Sequence, residues 1–321
     1  MDLRSLISSE SQLERARKLA LSGLLNYQPF IFSDRLAVGS GLSIAAGHNA
    51  DVPSIYCPDI KPEGASAERL ARELAPAERK QDFFDANERM RRFYDGMIAR
   101  VIAELGSVRG LSVLDVGCNT GYFPISFARH GARGFGIDRV DYSDTIALLN
   151  SLCGTKVEFR LSSYDGSVRA SERFDLVVSI AVLVHLSDPL HHLAWLGSSA
   201  AKALLVFTPC HDDDDYSIRY HTVNRYYRDR FPYCFDVTTV SKNLLRLAFE
   251  QMGFTKVVEI EPVEGSMPQH WSKQHLCLLG IRENDGAASR PDDVHSVSRP
   301  AQPVQRGLSA ALALLRNRTK R

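Results

Sequence analysis

LSVLDVGCNTGYFPISFARHGARGFGIDR, residues 111–139, decides how the rest of this chain is read. Val113, Leu114 and Val116 make a short, β-rich apolar run of the kind a strand buried in a parallel sheet requires. Asp115-Val-Gly117-Cys118-Asn119-Thr-Gly121 breaks the run, and Tyr122 to His130 follow at helical spacing. Gly134 to Ile137 form a second apolar strand ending on Asp138, twenty-one residues after Gly117. This is the layout of a nucleotide-binding βαβ unit. Glycines let the backbone pass close beneath a ligand, and an acid at the second strand tip accepts hydrogen bonds from ribose hydroxyls.

The wording of the turn separates two ligand classes. A dinucleotide site uses G-x-G-x-x-G, which seats a pyrophosphate against the helix N-terminus. Here the order is Asp-x-Gly-x-Asn-x-Gly. A carboxylate at Asp115 repels a pyrophosphate and suits an ammonium group, such as that of the methionine part of S-adenosylmethionine. Asn119 stands where a glycine is common, and asparagine tolerates a left-handed backbone. With D-V-G-C-x-x-G in this position, residues 94–282 resemble the class I S-adenosylmethionine-dependent methyltransferases. An incidental glycine turn in another α/β protein is the plainer alternative. The resemblance implies a Rossmann-like, doubly wound, seven-stranded sheet and S-adenosylmethionine as cofactor. It assigns cofactor contact to Asp115, Gly117, Cys118, Asn119, Gly121, Tyr122, Asp138 and Arg139.

Composition sets outer bounds. The 321 residues suffice for one large domain with an appendage, and 44% apolar and 24% charged residues are ordinary for a globular chain. A net charge of +1 gives no global field for nucleic acid or membranes. The six cysteines (57, 118, 153, 210, 234, 277) form no C-x-x-C pair, which fits reduced thiols in the cytoplasm rather than disulfides or zinc. No stretch approaches the roughly 20 apolar residues of a membrane span, and the first residues lack an apolar signal core.

Upstream of the turn, residues 1–26 read as a helix with Leu13, Ala16, Ala20 and Leu24 on one face. Phe30-Ile-Phe32 and Leu36-Ala-Val38 flank Ser33-Asp34-Arg35 as a hairpin, and residues 47–65 read as an irregular loop. Ser66 to Arg79 is a charged helix, followed by a longer one, FFDANERMRRFYDGMIARVIAEL, that leads into the glycine-turn strand. Phe93, Tyr94, Met97 and Val101 are spaced to face the sheet. Arg91, Arg92 and Tyr94 either pack there or reach the ligand, and Tyr94 is taken as a substrate-side candidate.

Downstream, the βα alternation continues, as a doubly wound sheet demands. Ser143 to Leu152 reads as a helix and Val157 to Leu161 as a strand, followed by Tyr164 and Asp165. In the family an acid here holds the adenine amino group, so Asp165 and Tyr164 are cofactor candidates; Asp165-Gly166 is equally a plain turn pair. FDLVVSI, 174–180, is the next strand. Its tip brings Ala181, Val182 and His185 to the switch point where such sheets bind ligands. Ser187-Asp188-Pro189 opens a helix containing His191 and His192. No carboxylate pattern completes a metal site with these histidines, and none is expected. After strand 203–207 comes CHDDDDYSIRYHTVNRYYRDRFPYCFD. The insertion 209–236 is read as a lid or substrate platform offering Arg219, Tyr220 and Arg225, or else as surface packing. Ser241 to Met252 is a capped helix, and 255–261 and 275–282 are strands. The chain thus divides into an N-terminal helical and hairpin extension (1–93, a candidate substrate cap), the α/β domain (94–282) and a disordered basic tail (283–321).

Methyl transfer from a sulfonium needs positioning, dryness and, for a hydroxyl acceptor, a base. His185 is the candidate, since an imidazole titrates near neutrality. The segment VLVHLSDPLHHLAWL is also similar to the tRNA wobble-uridine carboxymethyltransferases. Where that family has a tyrosine gripping the carboxylate of its carboxylated cofactor, this chain has Val184. The expected function is therefore O-methylation of a small-molecule or sugar-like metabolite. tRNA modification, a non-catalytic binding protein and an oxidoreductase are the alternatives, and the oligomeric state stays open.

Overall fold

The structure is a computed structural model that describes residues 1–25, 27–45, 52–63, 66–162, 172–212, 214–222, 236–266 and 274–283. Helix α1 (Glu10–Ser22) begins where the Ser9 side chain accepts the Gln12 N–H. It ends on Gly23, at φ 85°, a left-handed C-cap that glycine adopts without steric cost. The expected helix over 1–26 is therefore shorter at its start. Residues 1–3 run beside the hairpin instead, with Leu3 N–H donating to Ile31 O (2.8 Å) and Ile31 N–H to Met1 O (3.0 Å). Leu3 is wholly buried, which an exposed first helical turn would not achieve.

The hairpin forms as expected, β1 (Phe30–Ser33) against β2 (Leu36–Val38). After α2 (Gly41–Ala45), a third strand, β3 (Ile55–Tyr56), pairs with β2 inside the stretch read as an irregular loop. Two residues are too few to show a period of two, so the pairing left no trace in the sequence pattern. Helix α3 (Ala67–Glu73) stops before Ala75-Pro76, where Ala75 N–H turns aside to Ile55 O. Helix α4 (Lys80–Leu105) then runs 26 residues, burying Phe93, Tyr94, Met97 and Val101, the face the sequence predicts.

The main sheet is built from β4 (Ser112–Val116), β5 (Arg133–Asp138), β6 (Glu158–Leu161), β7 (Phe174–Ile180), β8 (Ala200–His211), β9 (Ile218–Thr222), β10 (Asp236–Ser241), β11 (Lys256–Glu259) and β12 (His275–Ile281). Helices α5 (Tyr122–Arg129), α6 (Ser143–Cys153), α7 (Pro189–Ser199) and α8 (Lys242–Gln251) connect them. The order is β11-β12-β8-β7-β4-β5-β6, parallel from β8 to β6, with β12 antiparallel to both neighbours. The expected seven-stranded doubly wound sheet is thus present. Two further strands extend it, since β10 joins β8 in parallel and β9 pairs antiparallel with β10. The insertion read as a lid or platform contributes β9, and β10 starts at its last residue, Asp236; Ile218 and Val240, apolar and facing each other in register, pack into the same core.

Each sheet face has its own core. Leu114, Val116, Val177 and Leu204 pack with Leu193 and Leu196 of α7 and Leu245 and Phe249 of α8. On the other face Val113, Val178 and Leu205 pack with α4, α5 and α6, and Leu3, Phe30, Phe32 and Val38 belong to that same cluster. The N-terminal extension therefore shares its core with the sheet. No helix among the described residues is long and apolar enough to cross a membrane.

Candidate active site

The glycine turn between β4 and α5 carries three left-handed residues within five positions, Gly117 (φ 74°), Asn119 (φ 50°) and Gly121 (φ 88°). Its hydrogen bonds lead to the tip of β5. Gly117 and Cys118 N–H both donate to Ile137 O (2.9 and 3.1 Å), and Asn119 N–H donates to Asp138 Oδ2 (2.9 Å). The Asn119 side chain accepts Thr120 N–H at 2.8 Å and donates to the Tyr142 hydroxyl at 3.2 Å, which holds a conformation that costs most non-glycine residues energy. Cys118 is buried under the turn. A Cβ at Gly136 would come within 2.8 Å of its sulfur, so β5 needs glycine there.

Two carboxylates flank this turn and differ in their partners. Asp138 accepts Asn119 N–H on Oδ2 and Val140 N–H (3.0 Å) on Oδ1. Burial raises its pKa, while the two backbone amides and Arg139 pull it back. Asp115 is 1% exposed, and its Oδ2 meets no hydrogen-bond partner among the described residues. Burial first, and the charge of Asp138 second, push the Asp115 pKa well above the carboxylate range. A buried, unpartnered carboxylate costs free energy, and a cationic ligand would relieve that cost.

Helix α4 forms the wall beside Asp115. Tyr94 is buried, with its ring 5.2 Å from that of Tyr122 and 5.0 Å from that of Phe123. Burial, then the charges of Tyr27 and Asp115, raises its pKa well above the phenol range. Arg91 pairs along the helix with Glu88 and Asp95, and Arg92 leans on Glu264 O. Of the three α4 candidates, Tyr94 alone is buried beside the acid. Tyr122, expected at the cofactor, has its ring wholly buried and its hydroxyl on Asp95 Oδ1 (2.7 Å).

At the end of β7, Ala181 takes φ 56° and donates its N–H to Phe207 O (2.7 Å). Val182 is buried, and a single 3-10 turn, Leu183–His185, leaves His185 half-buried. The insertion ribbon fastens this loop, because Thr238 Oγ1 donates to Leu186 O (2.7 Å) and the Tyr220 hydroxyl to Ser187 O (2.9 Å). Asp188 caps α7 by accepting His191 N–H. His192 lies in the core stacked on Trp195, its pKa pushed down to about 4 by burial and by His191.

The profile of the family described as methyltransferase domain matches residues 86–259, just over half of the chain. The chain belongs to the methyltransferase domain family. Similar sequences include the ubiquinone biosynthesis O-methyltransferase of Dinoroseobacter shibae, 34% identical over 98 residues that make up 30% of this chain and 38% of that protein. That of Cereibacter sphaeroides is 34% identical over 85 residues, 26% of this chain and 34% of that protein. The chain thus spans little more than a third of the length of these curated relatives. Similar solved structures include the magnesium protoporphyrin IX methyltransferase of Synechocystis PCC 6803 with bound SAM (16% identity, 68% of this chain and 92% of that one, TM-score 0.45). The 1,6-didemethyltoxoflavin-N1-methyltransferase of Burkholderia thailandensis is another (17%, 80% and 99%, TM-score 0.44).

Within this methyltransferase domain the structure brings together Asp115, Gly117, Cys118, Asn119, Gly121, Asp138 and Tyr94, and it sets Ala181, Val182 and His185 at the tip of the neighbouring strand β7. Arg139 is half-buried beside Asp138. Arg219 and Tyr220 sit exposed on β9. Tyr164, Asp165 and Arg225 lie outside the described residues. Sequence reasoning missed Gln28, Tyr142 and Thr120. Gln28 stands before Pro29 in no motif, yet it bonds the glycine turn at three points: Nε2 to Cys118 O (3.3 Å), and Oε1 from Thr120 Oγ1 (2.7 Å) and Tyr122 N–H (2.9 Å).

Proposed function

We propose that this methyltransferase domain binds S-adenosylmethionine with Asp115 against the ammonium and Asp138 against the ribose, and methylates an oxygen of a small-molecule acceptor. The observation that carries the reading is the unpartnered Oδ2 of Asp115, a buried acceptor at the strand tip in front of the turn. The same carboxylate argues against a pyrophosphate and so against a nicotinamide dinucleotide. The bound cofactor supplies an activated methyl group on a sulfonium. The chain's own residues orient it and keep the site dry, with the Tyr94, Tyr122 and Phe123 rings closing the wall beside Asp115.

An oxygen nucleophile must lose its proton during transfer, and we assign that proton to an imidazole nitrogen of His185, a reading supported by its position in the turn after β7. Oxygen as the acceptor atom is supported by the printed names of the relatives, O-methyltransferases. Val184 is buried and offers no polar group to grip a second carboxylate, which supports the ordinary cofactor over a carboxylated one. The five described cysteines are free thiols, which fits a cytoplasmic setting.

Calorimetric titration tests the reading. The chain is expected to bind S-adenosylmethionine and S-adenosylhomocysteine and to leave NAD unbound; binding of NAD alone would overturn it. His185→Ala is expected to keep the cofactor affinity and to lower turnover on a hydroxyl acceptor by about 100-fold, the usual range for losing a general base. Undiminished turnover would remove His185 from the chemistry.

A further inference from the structure

The turn that must approach a ligand closely has, by the same requirement, lost its own cap. Gly121 is the N-cap of α5 at φ 88°, a conformation that suits glycine and leaves no side chain to satisfy the open amides of the first helical turn. The chain meets this need from 94 residues upstream, because Gln28 Oε1 accepts Tyr122 N–H and the Thr120 hydroxyl while Nε2 donates to Cys118 O. Gln28 is 5% exposed. The backbone N–H of Tyr122 can only donate, which sets the orientation of the amide.

Neighbouring structure holds Gln28 in place. Ser40 N–H donates to Tyr27 O just before it, and β1 begins just after it. From this geometry we infer that Gln28 is a positioning residue for the cofactor turn, and that the N-terminal hairpin acts on cofactor affinity through that one side chain. The inference rests on the proposed binding of S-adenosylmethionine. A preformed turn binds without first having to order three left-handed residues, so undocking Gln28 weakens binding while every ligand-contacting group remains.

S-adenosylhomocysteine titrated into the full-length protein tests it. Gln28→Met keeps the side-chain length and removes all three bonds, and it is expected to weaken binding about tenfold, the loss typical of a missing helix cap. The Tyr122 amide should exchange with solvent faster in the same variant without ligand. Gln28→Glu keeps both acceptor bonds but sets a carboxylate oxygen where Nε2 had donated to Cys118 O, so its affinity should fall between those of the parent and Gln28→Met, about threefold below the parent. Val38→Ala, a cavity in the same hairpin that removes none of the three Gln28 bonds, should lower the melting temperature and leave affinity unchanged.

Equal affinity of Gln28→Met and the parent overturns the inference, as does an equal loss in Val38→Ala. Should Gln28→Met fail to fold, Gln28→Glu binding with the affinity of the parent overturns it too. A parent that ignores S-adenosylhomocysteine sinks the function and this inference together; a parent that binds beside an unaffected Gln28→Met sinks this inference alone.

Discussion

Asp115→Asn is expected to weaken S-adenosylhomocysteine binding by about 30- to 1,000-fold while raising the melting temperature of the ligand-free protein. The affinity loss follows from removing one partner of a buried charge pair, worth about 2–4 kcal/mol. The stability gain follows from the resting state, in which the carboxylate is buried beside Asp138 with one oxygen unpartnered. The pH dependence has a definite sign. The folded pKa of Asp115 lies above its unfolded value, so the folded state binds more protons between the two values, and stability falls as pH rises through that window. The stability advantage of the asparagine variant should therefore open above about pH 4 and widen until the folded carboxyl has ionised. Ligand binding, which needs the ionised carboxylate, should release a proton, visible as a buffer-dependent binding enthalpy. Thermal melts across pH, with and without S-adenosylhomocysteine, check both arms. An asparagine variant that is less stable than the parent, or that binds equally well, shows that Asp115 is not a stored cation site.

The part of this site that could be read in advance is the part written locally. Val113 to Asp138 carries its strand, turn, helix and strand in one stretch, and the register of β4 against β5 brings Asp115 and Asp138 to adjacent strand tips, as the spacing predicts. The apolar face of α4 was legible for the same reason, since Phe93, Tyr94, Met97 and Val101 recur at helical spacing. The Asp188-Pro189 start of α7 is likewise a neighbour effect, a side chain accepting an amide three residues on.

What escaped was settled between distant segments. Gln28 reaches the glycine turn across more than 90 residues, and nothing in Tyr27-Gln28-Pro29 marks it as a cap for another element's helix. The neighbours of Tyr122 were equally out of sight: its ring fills the space between Phe30 and Tyr94, and its hydroxyl finds Asp95. The pair β9 and β10 was obscured by composition, since the arginines and tyrosines that suggested a platform share the segment with the alternation that makes a ribbon. The bonds from Tyr220 and Thr238 to the loop after His185 give this ribbon a fastening role.

Asp138→Ala should reverse the pattern of Asp115→Asn, and adenosine is the probe that separates them. Adenosine has the ribose and lacks the amino-acid tail, so Asp115→Asn should leave its affinity unchanged. Asp138 has two tasks. It is the acceptor for ribose hydroxyls, and it already holds the Asn119 and Val140 amides, one of them in the strained turn. Removing it deletes hydrogen bonds to a charged acceptor, each worth about 1.5–3 kcal/mol, and frees Asn119 to leave its left-handed conformation. Adenosine and S-adenosylhomocysteine should therefore weaken together, each by about 100-fold or more, which corresponds to about 2.7 kcal/mol. The melting temperature should fall, because the loss of two amide partners outweighs relief of a charge that those amides already stabilise. If adenosine binds Asp138→Ala within threefold of the parent, the ribose lies elsewhere, and the second strand tip is only a brace for the turn.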